Sequence, residues 1–115
     1  MNKICQNIKI DAGLNVCDLG SRDGRILFTL SQYNKNYCYY TGIERGVIPF
    51  LISKINLFKN GSKNIYFINQ DFLKTDLSKF NVLITYLYPS LMNAILPKLN
   101  NELKNGTVLY SIDFE

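Results

Sequence analysis

The segment Val16 to Ile26, VCDLGSRDGRI, decides how this chain folds. It begins with a short apolar run that ends at Asp18, and a helical pattern starts at its C-terminal end. Between the two, Gly20 and Gly24 permit positive φ and let backbone amides approach a ligand closely. The N-terminus of the following helix favours an anionic group. The segment therefore predicts a buried strand, a ligand-binding turn and a helix.

The rest of the chain repeats this alternation of strands and helices. Apolar and β-branched runs predict strands at 14–19, 37–44, 64–71, 80–87 and 107–114, and helical spacing predicts helices at 25–33, 46–59 and 89–103. In the first helix, Ile26, Leu27 and Leu30 are expected to face the core. Pro97 is expected to bend or interrupt the last helix. Such an alternation over short connections indicates parallel strands joined by right-handed crossovers, which is an open α/β sheet.

Composition narrows the class of protein. A chain of 115 residues with 47% hydrophobic content suits one domain, which we predict to span residues 1–115. Its 13 basic and 9 acidic residues give a net charge of +4, but the lysines are scattered, which only weakly favours a nucleic-acid surface. Three cysteines without CxxC spacing indicate neither a disulfide framework nor a zinc site, and they favour a cytoplasmic protein.

Features that the sequence lacks exclude further classes. There is no histidine, which excludes histidine triads, histidine general bases and histidine metal ligands. No apolar run approaches the roughly 18 residues of a membrane-spanning helix. The N-terminus also lacks the charged start and apolar stretch of a signal peptide. We therefore expect no metal site, no secretion and no membrane span.

Acidic residues follow the second and third predicted strands. Ligands of an open parallel sheet bind at the carboxyl ends of the strands, where the strand order reverses. Glu44 lies 20 residues beyond Gly24, a spacing that suits an acid accepting hydrogen bonds from ribose hydroxyls. The alternative is a solvated carboxylate paired with Arg45. Asp71 could accept from an adenine amino group beside Phe72 or could cap a turn, and the sequence leaves both open.

The fourth predicted strand ends in the residues Tyr86, Leu87, Tyr88 and Pro89. A substrate would meet the cofactor at this position. Tyrosines at strand ends are more often packing residues, but two of them could also form a wall that binds a cation. Tyr86, Tyr88 and Pro89 are therefore the candidate catalytic residues.

The glycine turn fits one cofactor pattern better than another. The nicotinamide pattern GxGxxG would place Arg22 and Arg25 at its second and third glycines, so a nicotinamide-dependent oxidoreductase is the weaker hypothesis. The pattern acid-x-Gly-x-Gly-x-Gly matches Asp18, Gly20 and Gly24, with only the middle glycine replaced. The turn thus resembles motif I of the class I S-adenosylmethionine-dependent methyltransferases. Within that superfamily, DLGSRDGRI is most similar to the DLGSGDGRI of a group of small protein-lysine methyltransferases.

This resemblance covers nearly all of residues 14–115 and extends to the layout of the segment QDFLKTDLSKFNVLITYLYPSLM. It implies a Rossmann-like, mostly parallel sheet of about five strands in the order 3-2-1-4-5 with helices on both faces, truncated relative to the seven-stranded methyltransferase fold. It also implies S-adenosyl-L-methionine as the cofactor, with Glu44 at the ribose and Asp71 with Phe72 at the adenine. The cofactor-binding residues implied in this way are Asp18, Gly20, Ser21, Arg22, Gly24, Glu44, Asp71 and Phe72.

Methyl transfer to a protein lysine is the activity that the resemblance implies. Such a transfer requires mainly the alignment of a neutral amine with a sulfonium, so the lack of histidine is no obstacle. The (Asp/Asn)-Pro-Pro-Tyr sequence of methylases that act on exocyclic base amines is absent after the fourth strand, so a nucleic acid is the less favoured partner. The rival hypothesis is a catalytically inactive methyltransferase-like binding or interaction module.

Arg22 and the fifth strand carry two further expectations. If the turn needs positive φ at Arg22, the conformation costs about 1–2 kcal/mol. The Arg22 side chain would then either fill the space of the methionine moiety or pair with its carboxylate. The fifth strand would form an exposed sheet edge, which favours a homodimer.

Overall fold

The computed structural model describes residues 8–85 and 89–111. Its strands are β1 (Asn15–Leu19), β2 (Tyr39–Ile43), β3 (Ile65–Ile68), β4 (Val82–Thr85) and β5 (Val108–Ser111). Its helices are α1 (Arg25–Tyr33), α2 (Val47–Asn60) and α3 (Pro89–Glu102), and a 3₁₀ turn spans Phe72–Lys74. The strands form one sheet in the order β3-β2-β1-β4-β5, and all neighbouring strands run parallel. The predicted open α/β sheet and its strand order are confirmed.

Hydrophobic clusters cover both faces of the sheet. On one face, Val16 of β1 packs with α1, whose Ile26, Leu27 and Leu30 are buried as predicted. On the other face, Leu19 of β1 joins buried residues of α3. Because β1 also has a neighbouring strand on each side, residues 16–19 are fully buried. Asp18 therefore carries its carboxyl group into the centre of the fold.

The connection from β3 to β4 is shorter than the other crossovers. It contains the 3₁₀ turn in place of an α-helix. Its Leu77 and Phe80 are buried in the same cluster as α3. The Leu77 amide also donates to Oε1 of Glu102 in α3 at 3.2 Å. This packing holds the connection against the sheet and keeps Phe72 near the carboxyl end of β3.

Helix α3 continues through Pro97, so of the two predicted effects the interruption was wrong, and a bend stays a prediction. Pro97 lies on the exposed side of the helix, whereas Ile95 and Leu99 are buried. Proline removes the N–H that the carbonyl of Asn93 would accept. Asn93 is itself exposed, so its carbonyl can bind water instead. The helix is not interrupted, because the carbonyl that loses its intrahelical donor lies where solvent can supply one.

Strand β5 lies at the edge of the sheet, with Val108 and Ser111 exposed. This is the edge from which we predicted pairing with a second copy of the chain, and the pairing itself stays a prediction. Within the described ranges, no helix combines the length and the apolar character that crossing a membrane requires.

The packing of α3 can be tested with two matched substitutions. Leu99→Ala should lower the free energy of unfolding by about 2–5 kcal/mol, because Leu99 is only 3% exposed and its removal leaves a cavity. Leu96→Ala makes the same change on the same helix where the side chain is 41% exposed. Its effect should stay below about 1 kcal/mol. Urea denaturation measures both, and equal losses would contradict this orientation of α3.

Candidate functional site

A cavity of about 650 Å³ opens at the carboxyl ends of β1, β2 and β3. This is where the strand order reverses, because β1 lies between β2 and β4. Its size is within the range of small-molecule and cofactor sites. Of the cofactor-binding residues predicted from the sequence, the cavity is lined by Gly20, Arg22, Glu44, Asp71 and Phe72.

The loop after β1 is fastened to the end of β2. The amides of Gly20 and Ser21 both donate to the carbonyl of Ile43, at 2.9 and 3.1 Å. The amide of Gly24 donates to the carbonyl of Ser21 at 2.9 Å, which closes the turn. Gly24 has φ +91°, and a Cβ there would lie 2.6 Å from the ring of Phe67. Gly24 thus serves the packing of the loop and does not line the cavity.

Arg22 adopts a left-handed conformation, a condition that the sequence leaves open. Its φ is 54°, and among the described residues it is the only non-glycine residue with positive φ. The amide of Arg22 donates to Oε1 of Glu44 at 2.8 Å. This hydrogen bond to a charged acceptor offsets part of the backbone strain.

Glu44 joins two segments that border the cavity. Its Oε1 accepts from Arg22, and its Oε2 accepts from the amide of Gly46 at 2.7 Å, directly before α2. The Glu44 backbone is fixed by β3, since its N–H donates to the carbonyl of Ile68 at 3.0 Å. Glu44 forms no ion pair with Arg45, although the structure describes both. A carboxylate has about four acceptor positions, and these two hydrogen bonds use two of them.

Asp71 caps the 3₁₀ turn and also lines the cavity. Its Oδ1 accepts from the amide of Leu73 at 3.0 Å, which confirms the capping alternative. The cap uses one of the two carboxylate oxygens, so it does not preclude contact with an adenine amino group, which stays a prediction. Phe72 is half-buried beside it and lines the same cavity.

Asp18 and Ser21 lie below the loop and do not line the cavity. Neither oxygen of the Asp18 carboxyl group nor the Ser21 hydroxyl has a hydrogen-bond partner among the described residues. Burial raises the pKa of Asp18 to about 8, the negative charge of Glu44 adds to the rise, and the positive charge of Arg22 opposes it. Asp18 is therefore mainly protonated at neutral pH in the ligand-free protein.

The predicted catalytic residues are only partly covered by the structure. Tyr86 and Tyr88 lie outside the described residues. Pro89 is the first residue of α3 and is exposed. Pro89 does not line the cavity, whereas Leu91, in the first turn of α3, does.

Several residues of the cavity wall were not assigned from the sequence. They are Asp23, Arg25, Arg45, Pro49, Ile52, Leu73 and Leu91. Two of them had a usable signal, because Arg25 adjoins the glycine turn and Arg45 adjoins Glu44 in the sequence. Arg25 forms an ion pair with Asp23 at 2.9 Å, and its hydrogen bond holds the pKa of Asp23 below the usual value. The aliphatic residues gave no such signal, because a helical spacing does not tell which apolar side chain borders a cavity.

Together, the reversed strand order, the glycine turn and the acids after β2 and β3 define a Rossmann-like domain of the type that binds nucleoside cofactors. The chain belongs to the ANTKMT methyltransferase domain family, whose sequence model matches residues 18–115.

Two relatives are 32% identical to the chain. One is a lysine N-methyltransferase of an ATP synthase subunit in Caenorhabditis elegans, aligned over 98 residues that make up 84% of this chain and 50% of the worm protein. The other is a protein-lysine N-methyltransferase of Saccharolobus islandicus, aligned over 101 residues, or 87% of this chain and 62% of the archaeal protein. The chain thus matches between half and two thirds of the length of these relatives.

A solved structure shows the same fold. An RNA methyltransferase of Salinibacter ruber, in complex with S-adenosyl-L-homocysteine, superposes with a TM-score of 0.80 at 29% sequence identity. The match covers 89% of this chain and 66% of the Salinibacter chain. Relatives and fold therefore agree on a methyltransferase domain.

The strain at Arg22 predicts a stabilising substitution. Arg22→Gly should raise the free energy of unfolding by about 0.5–1 kcal/mol, because relief of the left-handed strain exceeds the greater flexibility of glycine in the unfolded chain. Arg45→Gly removes the same side chain from the same cavity at a residue without positive φ. It should lower the free energy of unfolding by about 0.5–1 kcal/mol. Chemical denaturation without ligand measures both, and a loss in Arg22→Gly would contradict the strain.

The raised pKa of Asp18 predicts a characteristic pH dependence. Between pH about 4 and 8 the folded state keeps the Asp18 proton while the unfolded state releases it, so stability falls as pH rises through this range. Asp18→Asn removes this fall in stability, because asparagine does not titrate. The difference in free energy of unfolding between variant and wild type should therefore shift in favour of the variant from pH 4 to pH 8.

The control for this measurement is Asp11→Asn, which changes an exposed acid. Its difference from the wild type should stay nearly constant over the same range. Urea denaturation at several pH values gives both curves. A constant difference for Asp18→Asn as well would contradict a buried, protonated Asp18.

Proposed function

We propose that this chain binds S-adenosyl-L-methionine in the cavity and transfers its methyl group to a lysine side chain of a protein. The observation that carries the proposal is the position of Glu44, whose carboxylate stands between the glycine turn and α2 in a cavity of suitable size. The functions of the Caenorhabditis and Saccharolobus relatives support a lysine as the acceptor.

The cavity offers a distinct contact for each part of the cofactor. Glu44 would accept hydrogen bonds from the two ribose hydroxyls. Asp71 and Phe72 would hold the adenine, through an oxygen that accepts from its amino group and through a ring that packs on its face. Gly20 leaves the backbone open at the methionine end, where Arg22 would pair with the cofactor carboxylate. Asp18, Ser21 and Gly24 would act by shaping the loop from below.

The reaction requires alignment more than acid–base chemistry. When bound, the cofactor supplies a methyl group on a positively charged sulfur. The acceptor lysine, with an ordinary pKa of about 10.4, must reach it as the neutral amine. The residues of the chain would therefore hold the two reactants in line and exclude water. We propose Tyr86, Tyr88 and Pro89 as the wall that guides the lysine. The aromatic faces of the two tyrosines would attract the protonated side chain before it loses its proton and reacts.

The cellular setting and further partners are part of the same proposal. Cys17 and Cys38 are buried free thiols, which suits the reducing cytoplasm. A homodimer through the edge of β5 would leave the cavity accessible, since β5 is at the end of the sheet beyond β4. An RNA acceptor is the alternative that the Salinibacter structure raises.

Calorimetric titration with S-adenosyl-L-homocysteine tests cofactor binding. We expect a measurable dissociation constant, and Glu44→Ala should weaken it at least tenfold, because hydrogen bonds to a charged group are lost. Asp76→Ala removes an exposed acid outside the cavity lining and should leave the affinity unchanged. No binding at about millimolar ligand would contradict the proposal.

The structural and ribose-binding roles of Glu44 can be separated with a 2′-deoxy analogue of the ligand. In the wild type the analogue should bind more weakly than the parent compound. In Glu44→Gln the difference between the two should shrink, because the charged acceptor is gone. An unchanged difference would mean that Glu44 only fastens the loop.

The acceptor is tested by incubating the chain with cofactor labelled at the methyl group and with protein and RNA from a cell extract. Label that survives ribonuclease and appears as methyl-lysine after hydrolysis would support the proposal. Label lost on ribonuclease treatment would favour an RNA acceptor. Cofactor binding without transfer to either would favour the non-catalytic binding module.

A further inference from the structure

Helix α2 turns an apolar face outward. Six of its apolar residues are exposed and form what we call the α2 stripe: Val47, Ile48, Leu51, Ile52, Ile55 and Phe58. Phe58 is 90% exposed, and Ser53 is the one buried residue of this fully described helix. Surface helices normally turn their apolar side to the core. An exposed apolar stripe of this length marks an interaction surface.

Two lysines border the α2 stripe. On a helix with 3.6 residues per turn, Lys54 and Lys59 fall at its opposite edges. Both are exposed, and neither forms an ion pair with a described residue. Long lysine side chains in such positions can lie along an apolar surface and extend their charge to its polar boundary.

Helix α2 lies within a segment that has no acidic residue. From Arg45 to Gln70 the sequence contains four basic residues and no acid. The other parts of the chain carry nine basic and nine acidic residues, so this segment accounts for the entire net charge of +4. Glu44 and Asp71 adjoin the two ends of this segment. The basic surroundings of the α2 stripe therefore consist of Lys54 and Lys59.

We propose that the α2 stripe docks on a membrane surface that contains anionic lipids. The apolar side chains would enter the boundary between headgroups and acyl chains, as those of interfacial amphipathic helices do. Lys54 and Lys59 would reach the anionic headgroups on either side, each contributing attraction near the surface. The helix would lie in the plane of the interface.

The charge distribution argues against a second copy as the occupant of the stripe. A twofold dimer brings the same patch of each copy together. Here it would bring Lys54 and Lys59 of one copy close to the same two lysines of the other. Anionic lipid instead complements both the apolar stripe and its basic edges.

Docking of the α2 stripe has a consequence for the cavity. Ile52 belongs to the stripe and also lines the cavity. The rim of the cavity on the α2 side would thus lie next to the membrane surface. The inference itself depends only on α2 and stands whether or not the chain transfers methyl groups.

Vesicle co-sedimentation of the full chain tests the proposal. The chain should sediment with vesicles made of equal parts phosphatidylcholine and phosphatidylserine, and about tenfold less with phosphatidylcholine alone. Phe58→Asp should weaken binding to the mixed vesicles at least tenfold. Because Phe58 is so exposed and lies outside the cavity lining, this variant should keep the wild-type unfolding midpoint and affinity for S-adenosyl-L-homocysteine.

Matched controls separate a local surface from general effects. The double variant Lys54→Glu/Lys59→Glu should lose at least tenfold in binding, whereas Lys74→Glu/Lys104→Glu, with the same change in net charge at exposed residues, should stay within about threefold. Leu96→Asp, an exposed apolar residue of α3, is the control for Phe58→Asp.

Three results would overturn the proposal. The first is no sedimentation with the mixed vesicles. The second is an equal loss of vesicle binding in the two double variants, which would mean that binding depends on net charge and not on the α2 stripe. The third is self-association that Phe58→Asp abolishes while vesicle binding is absent, which would assign the α2 stripe to a second copy.

Discussion

The carboxylate of Glu44 holds the site together. One oxygen accepts from the amide of Arg22 and the other from the amide of Gly46, so a single side chain links the loop after β1 to the start of α2. The preceding residue, Ile43, accepts from two more amides of that loop. The shape of the cavity thus depends on Ile43 and Glu44, at the carboxyl end of β2. The strained backbone of Arg22 can persist because several hydrogen bonds hold the loop on either side of it.

The electrostatics of the site follow from the same arrangement. Asp18 is buried under the loop and Glu44 stands above it, and the charge of Glu44 disfavours ionisation of Asp18. Three arginines line the cavity around them. A ligand with an anionic end and hydroxyl groups matches this distribution better than an apolar one.

Much of this arrangement could be predicted from the sequence. Alternating strands and helices determined the topology, because crossover connections are right-handed and ligands gather where the order reverses. The spacing from the glycine turn predicted that Glu44 would line the site, and the replaced glycine raised the question of positive φ at Arg22. The path of α3 could not be predicted, because the effect of Pro97 depends on whether solvent reaches the carbonyl it leaves free. Nor could the outward face of α2, since both of its sides carry apolar residues and periodicity alone does not choose between them.

The central position of β1 also constrains how the chain folds. Its neighbour on one side, β4, is distant in sequence, and the amide of Asn15 is bonded to a side chain 66 residues further along. Contacts of such long range close slowly, because the entropy of a large loop is lost before the contact is gained. During synthesis, the apolar edge of β1 stays unpaired until β4 has emerged. The pairing of β1 with β4 is therefore expected to form late in folding.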